Sequence, residues 1–202
     1  LNPDYSNISN RILLVSYDRN SHATKLFSRD CDVRIIWGGD ETINKVRENL
    51  LQPRAFDITF ADRYSICMIN ADEFLKETRP KKIVAGFFND TFLFDQNACT
   101  SPHLVLWIGS HMKVEKAKNI FWNNLRTLVV NRYKIEPVTA IDKLTNFHDQ
   151  AIQTEGILLE KKLDNLIFRV KLSNLTESID RFRLHSGYFS EYHASSLSEI
   201  SK

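Results

Sequence analysis

One thiol in this chain stands out by its setting. The stretch Phe94-Asp95-Gln96-Asn97-Ala98-Cys99-Thr100-Ser101-Pro102 puts Cys99 between a long apolar, helix-like run and a short apolar strand. Junctions of this kind lift a side chain out of the core and toward a cleft. A thiol held there by favourable dipoles acts as a thiolate nucleophile and can carry an acyl group as a thioester. The flanking Asp95, Gln96, Asn97, Thr100 and Ser101 are polar, which predicts an accessible site; an inert core cysteine is the plainer alternative. Cys31 lies in the charged turn Arg29-Asp30-Cys31-Asp32, where the acids oppose a thiolate, and Cys67 lies in an apolar strand. Neither is expected to react.

A second motif is Trp37-Gly38-Gly39-Asp40-Glu41-Thr42, which follows a strand and opens a helix. Two glycines let backbone N–H groups approach a ligand, and a helix N-terminus favours a phosphate. The motif lacks the full dinucleotide fingerprint, so a plain strand-to-helix turn stays open beside that reading. Asp40 also stands where an anion would sit. His103 follows Cys99 by four residues but begins an apolar strand, which predicts a structural role. The other five histidines (His22, His111, His148, His185 and His193) show no metal-ligand spacing, and no metal is expected.

The elements that must position these residues alternate. Arg11 to Tyr17 reads as a buried strand, Ser21 to Phe27 as a short helix, Val33 to Trp37 as a strand, and Glu41 to Leu51 as a helix with Ile43, Val46 and Leu50 on one face. Phe56 to Phe60 and Tyr64 to Ile69 read as strands, with Asn70 or Asp72 as the cap of the next helix. Ile83 to Phe94 is a buried helix, and His103 to Ile108 a strand. Lys113 to Val130 is an amphipathic helix with Ala117, Ile120, Phe121, Leu125 and Leu128 as its stripe. After Pro137, Thr139 to Gln153 resumes a helix. Gly156 to Val170 is a hairpin turning at Asp164-Asn165, Phe182 to Tyr192 is the last strand, and a short capped helix starts near Ser196. Strands and helices alternating at short spacing predict an α/β fold with a parallel sheet. The best boundary falls at Ala61-Asp62, giving domains 1–61 and 62–202.

Composition limits the function. The 202 residues, 43% hydrophobic and 26% charged, suit a soluble globular protein. A net charge of +2 gives no argument for nucleic acid or an anionic membrane. No apolar run is long enough to span a bilayer, and no secretory signal opens the chain. Three widely spaced cysteines fit a reducing, cytoplasmic setting rather than a disulfide framework.

The Cys99 stretch, taken with Ile36-Trp37-Gly38-Gly39-Asp40 upstream and Phe60 to Ser65 between, resembles the long-chain acyl-CoA reductases of the LuxC type, a branch of the aldehyde dehydrogenase superfamily. The resemblance is most specific from Val33 to Gly109. It implies an aldehyde dehydrogenase-like fold, with 1–61 as the second part of a nucleotide-binding domain and 62–202 as a cysteine-bearing catalytic domain. It implies that Cys99 takes an acyl group from coenzyme A or an acyl-protein, and that NADPH reduces the thioester to a fatty aldehyde. Trp37, Gly38, Gly39 and Asp40 then fall at the turn that approaches the cofactor phosphates. Aligning Ser65 with the superfamily motif puts Phe60 where ordinary aldehyde dehydrogenases carry a water-activating glutamate; Asp62 is the carboxylate nearby. Without a base at that place a thioester outlives hydrolysis. The resemblance also implies an interior piece of a longer, oligomeric enzyme.

On this reading, backbone N–H groups near Cys99 and the Asn97 side chain stabilise the oxyanion formed when Cys99 attacks a thioester. The aldehyde could serve light emission, lipid reduction or surface polysaccharide. Two alternatives stand beside it: a thiol acyltransferase or thioesterase using Cys99 with a histidine, and a non-catalytic module that assembles with an acyl-transferring partner through the helix from Lys113 to Val130.

Overall fold

A computed structural model describes residues 6–18, 20–160 and 164–200. Residues 161–163 of the expected hairpin and both chain ends lie outside them. The chain divides into two compact units, Leu1–Asp62 and Arg63–Lys202.

In the first unit a short turn of helix, α1 (Ser6–Ser9), precedes α2 (Ala23–Asp30), β1 (Val33–Trp37), α3 (Asp40–Arg47) and β2 (Phe56–Phe60). β1 and β2 pair in parallel, Val33 beside Phe56 through to Trp37 beside Phe60. Such pairing needs a crossover, and α3 supplies it. Ile43 of α3 is buried, as is Ile36 of β1. The Arg34 guanidinium ties the helical layer to the sheet. It pairs with Asp57 of β2 at 2.6 Å and donates to the Ser28 hydroxyl and to the Val46 and Asn49 carbonyls. The buried strand expected over Arg11 to Tyr17 is not formed. Residues 11–18 are exposed and pair with no strand among the described residues.

The second unit holds β3 (Ser65–Asn70), α4 (Ala71–Lys76), α5 (Pro80–Phe92), β4 (Pro102–Ile108), α6 (His111–Arg132), α7 (Pro137–Gln153), β5 (Ile157–Leu159), β6 (Phe168–Leu172), β7 (Tyr188–Ala194) and α8 (Leu197–Ile200). The sheet order is β3-β4-β7-β6-β5. All neighbours are parallel except β5 with β6. The expected parallel α/β sheet is therefore present, with one antiparallel edge strand. β4 is buried along its whole length, which is why its sequence is a continuous apolar run. Asn70 caps α4, its side-chain oxygen accepting the Glu73 N–H at 3.2 Å.

The core on one side of this sheet joins Phe87, Phe88 and Phe92 of α5 to Phe121, Trp122 and Leu125 of α6 and Phe189 of β7. Three residues of the expected α6 stripe, Ala117, Phe121 and Leu125, are buried; Ile120 and Leu128 sit at its margin. The same face carries Lys118, which a stripe of apolar residues does not predict. Its ammonium lies 3.5 Å from the fully buried carboxylate of Glu191 on β7. Glu191 also accepts from Arg169 and from the indole N–H groups of Trp107 and Trp122. A buried charge is tolerable only with this degree of satisfaction.

Two local expectations change. The hairpin closes later than the sequence suggests: Ile157 stands opposite Leu172, so Leu166 and Ile167 belong to the connection. The last strand also starts later. Ile179–Phe182 forms a 3₁₀ turn, and Ser186 and Gly187 take left-handed backbone angles (φ 61° and 88°) that interrupt any strand begun at Phe182. Glycine is required at 187. An added Cβ would lie 2.4 Å from the Leu166 carbonyl oxygen and 2.9 Å from the Phe92 ring.

Candidate active site

Cys99 lies on the turn that leaves α5 and enters β4, and it is exposed. α5 ends because Asp95 and Gln96 turn left-handed (φ 51° and 60°). The turn is then fastened at nearly every residue. The Gln96 N–H donates to the Thr91 carbonyl and the Asn97 N–H to that of Phe94, while the Ser186 N–H donates to the Asp95 carbonyl. Tyr133 of α6 donates its hydroxyl to the Asp95 carboxylate at 2.6 Å. Ser101, buried, donates to the Asp90 carbonyl. Ser65, at the start of β3, donates to the carbonyl of Cys99 itself at 2.7 Å.

The central fastening is Gln96. Its amide is buried and uses both ends. The nitrogen donates to the Pro102 and Tyr188 carbonyls, each at 2.9 Å, and the oxygen accepts the Gly187 and Tyr188 N–H groups. One side chain thus locks the Cys99 turn to the first residues of β4 and β7. The polar flanks of Cys99 are therefore of two kinds. Asp95, Asn97 and Thr100 face solvent, whereas Gln96 and Ser101 point inward and hold the loop. In the sequence all five look like marks of exposure, so Gln96, Ser101 and the distant Tyr133 do not stand out as positioning residues. A polar residue immediately after an apolar helix, with a left-handed turn to make, is the available signal.

Among the described residues, the backbone N–H groups of Ala98, Cys99 and Thr100 meet no protein acceptor. The Asn97 side chain is exposed and likewise engages no partner. A fixed, exposed thiol flanked by free N–H donors has the parts needed to attack a carbonyl and hold the resulting oxyanion. Cys67 differs. Burial, with the Asp90 charge as a smaller cause, pushes its thiol up to about 11. His103 opens β4, buried, with Nδ1 lacking a hydrogen-bond partner and its ring stacked on Tyr64 at 5.7 Å. Burial and the nearby Arg183 charge depress its pKa to about 4. It is a core ring, as its strand position implies. Among the described residues no group of His, Cys, Asp and Glu could hold a metal ion.

The other candidate residues belong to the first unit. β1 ends at Trp37, and Gly38 and Gly39 lead into α3, which has no side-chain cap. The Gly38 N–H donates to the Phe60 carbonyl at 3.2 Å. Trp37 is 74% exposed and stacks on Phe60 with ring centroids 4.4 Å apart. Neither glycine needs a left-handed angle here; closeness explains Gly39, since a Cβ there would meet the Asp62 carboxylate at 3.2 Å. Asp40 and Glu41 occupy the first turn of α3. Three carboxylates at one helix N-terminus satisfy its dipole and repel a phosphate. The donor set therefore does not fit a cofactor phosphate at this turn. It does fit hydroxyl groups, which carboxylates bind by accepting, and the exposed Trp37–Phe60 pair offers a flat face to an aromatic ring.

The sequence of residues 1–167 matches the family described as acyl-CoA reductase (LuxC). No curated protein matches the chain. Among solved structures, betaine aldehyde dehydrogenase from Staphylococcus aureus in complex with NAD+ is 14% identical, with a TM-score of 0.54 over 89% of this chain and 39% of its own. Aldehyde dehydrogenase 21 from Physcomitrella patens, in complex with its product succinate, is 10% identical (TM-score 0.59; 92% and 39%). An NAD-dependent benzaldehyde dehydrogenase from Corynebacterium glutamicum is 11% identical (TM-score 0.58; 93% and 42%). The chain spans about two fifths of the length of these structures. At such identities the likeness establishes the aldehyde dehydrogenase-like fold.

Proposed function

The chain belongs to the LuxC family of acyl-CoA reductases, and on that premise we propose that it reduces a long-chain acyl thioester to a fatty aldehyde through an acyl group carried on Cys99. The observation that carries this reading is the exposed Cys99 on a loop fixed by Gln96 and Ser65, with three free N–H donors beside it.

Cys99 Sγ, as thiolate, attacks the carbonyl carbon of acyl-CoA or an acyl-protein. The carbonyl electrons move to oxygen, which the Ala98, Cys99 and Thr100 N–H groups and the Asn97 amide are suited to receive. The tetrahedral species collapses by breaking the bond to the incoming thiol, which leaves as thiolate and takes a proton from water. NADPH, when bound, supplies the hydride that reduces the acyl carbon. Trp37, Gly38, Gly39 and Asp40 are suited to the ribose hydroxyls and flat ring of that cofactor rather than to its phosphates. Phe60, at the place of the water-activating glutamate by resemblance, brings no base, and this favours a thioester that persists until reduced. A reducing, cytoplasmic setting keeps Cys99 free, and acyl delivery by a partner protein and assembly into a homo-oligomer fit the same reading.

Intact-mass measurement after incubation with a long-chain acyl-CoA tests it. One acyl group should add, mapping to Cys99, and Cys99→Ser should abolish both adduct and aldehyde. Discharge of the adduct should require NADPH. Equal discharge without it identifies a thioesterase instead.

A further inference from the structure

The run Arg11 to Tyr17 is strongly strand-like and yet joins no sheet among the described residues. Ile12, Leu13, Leu14 and Val15 are consecutive, as in parallel strands covered on both faces. Here Leu13 is 78% and Leu14 91% exposed, and the backbone of residues 13–17 makes no hydrogen bond among the described residues.

A place for this run exists in the same unit. β1 pairs with β2 along one edge only. Beside β1 runs a groove of about 420 Å³ bordered by all five β1 residues and by none of β2, so it follows the free edge. Its other walls are Thr24 and Phe27 of α2, Thr42 and Val46 of α3, and Tyr17. Tyr17 already touches the mouth: its ring lies 5.9 Å from Phe27, and its hydroxyl accepts from Thr24.

Handedness decides which segment belongs there. Arg34 points to one face of β1 and reaches both Ser28 of α2 and the carbonyls of Val46 and Asn49 that end α3. The two helices therefore cover the same face. A strand–helix–strand crossover between parallel strands is right-handed in nearly all proteins. With both helices on one face, the strand before α2 must lie on the edge of β1 opposite β2. We infer that Arg11–Tyr17 closes into this groove as a third parallel strand, in register with Tyr17 beside Trp37. Closure covers the apolar run and brings residues 20–22 alongside Gly38–Asp40 at the carboxyl ends of adjacent strands, where open α/β sheets bind ligands. Closure of the strand does not depend on the proposed activity.

Hydrogen exchange on the whole chain tests it. Amides of 11–17, and those of β1 that face away from β2, should exchange at least about tenfold more slowly than in Leu14→Pro, whose ring removes a ladder donor. The protection should not change with protein concentration. Exchange of 11–17 at the rate of an unstructured peptide overturns the inference. So does protection that grows with concentration, which assigns the groove to a second copy, or β1 protection that survives Leu14→Pro, which assigns it to another segment. If Leu14→Pro also exposes 56–60, the unit has unfolded. The pair Val15→Cys and Ile35→Cys, with the three native cysteines changed to serine, then decides by forming an intramolecular disulfide or failing to.

Discussion

The two turns that carry the candidate chemistry are built in opposite ways. The Cys99 turn is held from inside: a buried glutamine, a buried serine and two positive-φ residues fix a backbone whose N–H donors stay free. The Gly38–Gly39 turn is shaped from outside, by an aromatic pair and three acidic side chains around an uncapped helix. The first arrangement suits a covalent step, in which a donor misplaced by an ångström forfeits much of the rate. The second suits reversible holding of a polar, ring-bearing ligand and rejects an anion. One unit supplies a preorganised nucleophile, the other an adaptable surface.

The largest effect should come from breaking the inner fastening. Gln96→Ala strands two buried N–H groups and two carbonyls, and should cost about 2–4 kcal/mol of stability in urea unfolding while slowing Cys99 acylation. Next is acid. His103 is held neutral when folded, so the unfolded chain binds the proton first as pH falls through its ordinary value near 6.5. Stability of the second unit should therefore decline from about pH 6.5 to about 4, by up to about 3 kcal/mol, and His103→Gln should flatten that decline. Ser65→Ala frees the Cys99 carbonyl at a cost of about 1 kcal/mol and should reduce the acylation rate several-fold with little change in overall fold, as read by circular dichroism. The smallest effect belongs to the outer turn. Gly39→Ala should change stability by less than about 1 kcal/mol, because its new methyl meets only the movable end of Asp62. A loss as large as that of Gln96→Ala would show that the two turns are equally rigid, and the contrast would fail.

Much of the second unit is legible in the sequence because its signals are local. The unbroken apolar run of β4, the periodicity of α5 and α6 and the Asn70 cap each name an element without reference to anything distant. Cys99 is legible too, as a thiol at a helix-to-strand junction. Arg11–Tyr17 misleads for the complementary reason. Its composition specifies a strand, but a strand forms only where an edge receives it, and pattern carries no information about the edge. Gln96 and Glu191 stay hidden because a buried polar side chain looks in sequence like a solvated one; their partners at Tyr188, and at Trp107 and Lys118, lie tens of residues away.

Side-chain chemistry and short-range periodicity, which act over a few bonds, are enough to name the candidate nucleophile, the parallel α/β class and most of the elements. Which polar groups turn inward, which donors stay free beside Cys99 and why a glycine must stand at 187 depend on contacts between distant parts of the chain, and only packing in three dimensions decides those.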